Sequence, residues 1–182
     1  KNIGFGGITY IYGAPGIGKT RLLEEVNREF EEGEIKWIYL PCDETVKTSF
    51  NPIIYFLKNY FEQNDEVKTH EKRDGFETKY RELITKTKEK KLKDELERTK
   101  SFIGNLLSLS WKNSLFSLLE AKQRKENTLQ GLKTFFKSLS LQNVLVLELD
   151  DGQWADSETL EFFKIFTRNI ENYPIKIITE WR

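Results

Sequence analysis

Gly13-Ala14-Pro15-Gly16-Ile17-Gly18-Lys19-Thr20 decides the reading of this chain. It fits the pattern G-x-x-x-x-G-K-[ST], and its flanks fit the context that the pattern needs. Before it, Ile8-Thr9-Tyr10-Ile11-Tyr12 is a short β-branched and aromatic run, the composition of a buried parallel strand. After it, Leu22, Leu23, Val26 and Phe30 recur at helical spacing, and Gly33 stands where a helix would stop. The stretch therefore predicts strand, loop and helix in that order.

Such a loop has a specific chemistry. Glycines at 13, 16 and 18 allow backbone torsions that let the chain wrap closely around a phosphate. The inward N–H groups and the positive end of the following helix would face the same anion. Lys19 is expected to bridge β- and γ-phosphates, and the Thr20 hydroxyl to ligate Mg²⁺. Gly13, Ala14, Pro15, Gly16, Ile17, Gly18, Lys19, Thr20 and Arg21 are the expected phosphate-binding residues.

A second run supports the first. Val144-Leu145-Val146-Leu147-Glu148-Leu149-Asp150-Asp151 is an apolar strand that ends in two acids. Asp150 would hold Mg²⁺ through its water shell beside Thr20, and Asp151 would orient and polarise the water that attacks the γ-phosphate. Glu148 breaks the apolar run, and the sequence does not say what it faces.

Between these motifs, Ile35–Leu40 reads as a strand closed by Pro41. Cys42 follows, with packing a better account than nucleophilic chemistry because no His partner is near. Ser49 or Asn51 could cap a helix that begins at Pro52 and carries Ile53, Ile54, Phe56, Leu57, Tyr60 and Phe61. Residues 62–100 hold 12 basic and 11 acidic side chains with sparse apolar residues at Phe76, Tyr80, Leu83, Leu92 and Leu96. That balance predicts exposed helices with thin apolar stripes rather than a basic nucleic-acid arm, and gives His70 a surface role. Apolar density returns from Phe102 to Leu119, and a helix is expected over roughly 127–140. The span 62–130 thus reads as a helical insertion between sheet strands.

Near the C-terminus, Asp156 or Ser157 is an N-cap candidate for a helix with Leu160, Phe163, Phe166 and Ile170 on one side. Tyr173-Pro174 ends it, and Ile175–Thr179 reads as a fourth strand. Arg182 falls past its end, on the sheet edge where Lys19, Asp150 and Asp151 would also lie.

Composition narrows the class. The chain has 182 residues, 38% hydrophobic and 32% charged, enough for one domain with a sizeable core. Lys plus Arg and Asp plus Glu are both 29, which disfavours a bulk nucleic-acid or acidic-membrane binder. One cysteine and one histidine cannot build a Cys/His metal site. No run approaches 18 apolar residues and no signal peptide opens the chain, so the expected setting is cytoplasmic. The sequence lacks methionine and stops at a strand end, from which we expect a core truncated at both ends.

Together, the loop through Arg21-Leu22-Leu23 and the run Asp150-Asp151-Gly152-Gln153-Trp154-Ala155-Asp156 resemble the STAND class of AAA-type ATPases (signal-transduction ATPases with numerous domains). Members carry D-D-x-[HQ]-W-A-D after an apolar strand, and the run Leu40-Pro41-Cys42-Asp43 is also similar. Gly152 departs from a usual apolar residue, and Glu148 interrupts the strand. The resemblance covers residues 1–60 and 127–182. It implies a P-loop NTPase fold of the α/β class, three-layered around a parallel sheet of order 5-1-4-3-2, and an ATP-driven switch that controls assembly. It makes Arg182 a sensor of the γ-phosphate. ATP and Mg²⁺ are the implied cofactors, and protein partners or self-association through flanking domains the implied contacts. Two readings follow: a Mg²⁺-dependent ATP-hydrolysing regulatory module, or a nucleotide-gated scaffold with negligible turnover. A P-loop kinase would need an acceptor pocket and arginine-bearing lid that the sequence does not offer. A DNA-loading ATPase would need a charge bias that it lacks.

Overall fold

In the computed structural model, which describes residues 4–30, 33–46, 48–63 and 66–182, the chain divides into two compact units. Unit one comprises residues 1–56 and 143–182, and unit two is the helical span Leu57–Gln142.

Unit one is built on four strands: β1 (Ile8–Tyr12), β2 (Ile35–Pro41), β3 (Val144–Asp150) and β4 (Ile175–Trp181). Their order is β1-β4-β3-β2 and every pairing is parallel. Set against the expected 5-1-4-3-2, this is the 1-4-3-2 portion, an α/β P-loop arrangement as expected. β4 runs two residues beyond the sequence reading, so Glu180 and Trp181 belong to the strand. Side chains alternate along each strand. One face carries Val146, Ile178, Ile11, Ile35 and Trp37, onto which Leu23 of helix α1 (Lys19–Arg28) packs. The opposite face carries Leu145, Leu147, Leu149, Ile38, Leu40 and Ile177, all buried. Of the apolar stripe expected on α1, only Leu23 is buried; Leu22, Val26 and Phe30 are exposed.

Helix α2 (Asn51–Tyr60) takes its cap from an unexpected source. Neither Ser49 nor Asn51 supplies it. The backbone amides of Phe50 and Asn51 donate to the Asp156 carboxylate at 2.8 and 3.1 Å. That carboxylate also caps α7 (Ser157–Phe166), accepting from the Thr159 amide at 2.9 Å and the Thr159 hydroxyl at 2.6 Å. Asp156 thus fixes two helix starts at once.

The helical unit contains α3 (Thr69–Lys86), α4 (Lys90–Leu106), the single turn α5 (Leu115–Leu118) and α6 (Ala121–Ser140). Its sparse stripes add up to a core: Phe76, Tyr80, Leu83, Leu96, Phe102 and Phe135 are all buried. Phe61, Phe76, Tyr80 and Phe135 form one aromatic cluster with centroids 4.6–6.4 Å apart. The Tyr80 hydroxyl donates to the Leu96 carbonyl at 3.0 Å, so its polar end is satisfied inside that cluster. α4 and α6 approach closely because Gly131 faces Thr99, where an added Cβ would lie 3.0 Å from the threonine Cβ. His70 is exposed, beside Glu71.

Candidate functional site

The loop after β1 is shaped by glycine where the backbone requires it. Gly16 and Gly18 have φ of 77° and 97°, in the left-handed region that suits glycine. At Gly13 a Cβ would press on Ile17 at 2.9 Å. The Gly13 amide donates to the Trp181 carbonyl at 3.3 Å, which ties the start of the loop to the end of β4. Gly18 is the N-cap of α1, so the helix begins at Lys19 with its amides directed back at the loop. The Lys19 ammonium lies over the loop and donates to the carbonyls of Gly13 (3.0 Å) and Ala14 (3.3 Å). Ile17 and Arg21 are exposed.

The acids gather at the same carboxyl edge, in the order that the strand register dictates. Asp150 ends β3 and accepts from the Tyr39 hydroxyl of β2 at 2.6 Å. Asp151 follows in a left-handed turn (φ 49°) that aims its carboxylate toward β4. There it meets the Arg182 guanidinium in a two-pronged contact, 2.5 Å from Nη2 to Oδ2 and 2.9 Å from Nε to Oδ1. The Gln153 amide donates to Asp151 at 3.0 Å and its oxygen accepts from the Arg182 backbone at 3.3 Å, closing a three-residue ring. Burial acts to raise the Asp151 carboxyl. Hydrogen bonds from Arg182 and Gln153, with the charges of Arg182 and Lys19, outweigh it and hold the group below the usual aspartate range.

Thr20 does not turn to Asp150. Its hydroxyl donates to Glu180 Oε2 at 3.2 Å. Glu180 is buried, and burial, followed by the neighbouring charges of Asp150 and Glu148, pushes its carboxyl up to about 7. Glu148 is also buried and raised by that burial, with the Trp37 indole N–H donating to it and Glu180 sharing a hydrogen bond with it. The strand-breaking acid of the sequence thus lies on the α1 side of the sheet, one step below Asp150. The thiol of Cys42 is pushed up to about 12 by burial and then by the surrounding aspartates, which leaves it a poor nucleophile.

Sequence reasoning missed Tyr39, Glu180 and Gln153 as site residues. Glu180 carried the same signal as Glu148, an acid in an apolar strand, but stood just outside the strand as read. Gln153 was read as part of a motif without a contact of its own.

The donors at this edge suit Mg²⁺: Thr20 and Asp150 offer hard oxygens, and one buried oxygen of Glu180 has no hydrogen-bond donor. Among the described residues no group of three or more His, Cys, Asp or Glu is arranged to hold a metal alone. A metal bound with a nucleotide needs none, because it takes phosphate and water oxygens as well. The helical unit holds a cavity of about 610 Å³ lined by Lys68, His70, Arg73 and Ser108 among others, and no residue of the glycine loop lines it.

The family profile described as AAA ATPase domain matches residues 2–178. The chain belongs to the AAA ATPase domain family. A comparison with curated proteins finds no match. The AAA ATPase assignment carries nucleotide binding on the P-loop fold and ATPase chemistry as the family's activity, and AAA ATPases typically use ATP and Mg²⁺. Among the described residues of this AAA ATPase domain, no helix is long and apolar enough to cross a membrane.

Proposed function

We propose that this AAA ATPase domain is a Mg²⁺-dependent ATP-binding and hydrolysing regulatory module of a larger STAND-type signalling or assembly switch, with 62–130 as its helical insertion. The observation that carries the reading is the meeting of Lys19, Thr20, Asp150, Asp151 and Arg182 at one edge of a parallel sheet, connected through Gly13–Trp181, Thr20–Glu180 and Arg182–Asp151. Lys19 exchanges its loop carbonyls for β- and γ-phosphate oxygens, and the amides of residues 13–20 cradle the same anion. Thr20 and Asp150 would hold the metal. Mg²⁺, when bound, neutralises charge on the phosphate oxygens. Asp151 orients and polarises the attacking water, and Arg182 reports the γ-phosphate.

A second reading draws on one contact. The two-pronged Arg182–Asp151 pair occupies the carboxylate that should activate water, which favours a nucleotide-gated scaffold with negligible turnover. Phosphate release from ATP separates the two. Under the hydrolytic reading the parent turns over, and Asp151→Asn loses about a hundredfold or more in rate while its ATP affinity stays within about threefold. A parent that binds ATP and releases no phosphate supports the scaffold. If Asp151→Asn hydrolyses as fast as the parent, Asp151 has no part in the chemistry.

A further inference from the structure

Glu180 is fully buried at 0% exposure, on the sheet face that carries Ile178 of its own strand, Ile11 of β1 and Glu148 of β3. One carboxylate oxygen, Oε2, accepts from the Thr20 hydroxyl. The other, Oε1, is enclosed without a hydrogen-bond donor. The charged groups that act on it are the acids Asp150 and Glu148. A buried carboxyl with a spare oxygen among like charges opposes folding unless something else compensates. A hydrogen bond shared with Glu148 offsets part of that cost. It does not account for the contact with Thr20, since Asp150, the acid expected beside that hydroxyl, is engaged by Tyr39 instead.

A hydroxyl has one proton and two lone pairs. If the proton is fixed on an acceptor, the lone pairs point elsewhere, and that is the orientation a metal ligand requires. We propose that Glu180 is a positioning residue for the metal–nucleotide complex: it accepts the Thr20 hydroxyl proton and so turns the Thr20 oxygen toward Mg²⁺. The inference rests on the nucleotide reading of the loop. In this role Glu180 acts through Thr20.

The test is the affinity of the full chain for ADP and ATP with and without Mg²⁺ at one fixed pH. Glu180→Leu keeps the volume and removes the acceptor, with Glu180→Met as its substitute should it not fold. Glu180→Gln keeps an acceptor oxygen. The gain in affinity that Mg²⁺ gives the parent should fall about tenfold in Glu180→Leu, the worth of one hydrogen bond to a charged group. Metal-free ADP affinity should be unchanged, and Glu180→Gln should retain most of the gain. In a Thr20→Val background, Glu180→Leu should cost nothing further, because the two residues act as one unit. If Glu180 served the fold alone, Glu180→Leu would change thermal stability and leave the Mg²⁺ gain intact. That result in Glu180→Leu, with the parent responding normally, overturns this inference and leaves the nucleotide reading standing. A parent with no Mg²⁺-dependent nucleotide binding overturns both.

Discussion

Arg182 and Asp151 hold each other across the ends of β4 and β3, with Nη2 2.5 Å from Oδ2 and Nε 2.9 Å from Oδ1. The pair joins the residue proposed to sense the γ-phosphate to the residue proposed to direct water. Each restrains the other, and Gln153 braces both. On the proposed reading, a γ-phosphate would offer Arg182 a competing anion, so ATP would release Asp151 where ADP would not. That is a chemical route from nucleotide identity to a change at the strand edge.

If Arg182 reads the γ-phosphate, Arg182→Ala should reduce the preference for ATP over ADP while leaving ADP affinity within about twofold. The expected loss of ATP affinity is about tenfold, one charge-assisted contact. Titration of both nucleotides against parent and variant measures it. Equal losses for ATP and ADP would assign Arg182 to the shared phosphates or to structure.

The buried acids make stability depend on pH with a definite sign. Glu180 is raised to about 7 and Glu148 is raised as well, each first by burial. A carboxyl raised in the folded state binds its proton more tightly there than in the unfolded chain. Its stabilisation is full below the unfolded value, near 4.3, and is lost as pH climbs through the folded value. Tm should therefore fall by several degrees between about pH 5 and pH 8, and Glu180→Gln should flatten that slope. Scanning calorimetry across the range tests it. A slope in Glu180→Gln equal to the parent's would remove Glu180 as its source.

Gly152 has a packing reason. A Cβ there would lie 2.7 Å from the Thr179 hydroxyl and 3.1 Å from the Trp181 ring, both in β4. Gly152→Ala should destabilise the fold by about 1–3 kcal/mol through overpacking. Denaturant unfolding gives the value, and no change in midpoint would show that β4 shifts freely.

What was legible in the sequence was local. The glycine loop, the acidic strand end and the α/β class follow from residue spacing and from the strand–loop–helix context. Gly152 stood out as a departure, but its cause lies in Trp181, which is 29 positions away. Glu180 was overlooked because the register of β4 with β1 and the approach of Thr20 are tertiary facts. The charged stretch shows the limit most plainly. Phe76, Tyr80, Leu83, Leu92 and Leu96 predict only thin stripes on separate helices, yet partners such as Phe61 and Phe135 turn them into a closed aromatic core. Burial depends on what a stripe meets, and a linear pattern does not carry that.

Equilibrium binding of ATP in Mg²⁺ to the parent and to Lys19→Ala tests the central claim most directly. The account predicts saturable, Mg²⁺-dependent binding by the parent and a loss of at least about tenfold in the variant, since the ammonium would make charge-assisted contacts to two phosphates. Equal ATP affinity in parent and variant, with both folded, would contradict the account and leave the glycine loop without its proposed ligand.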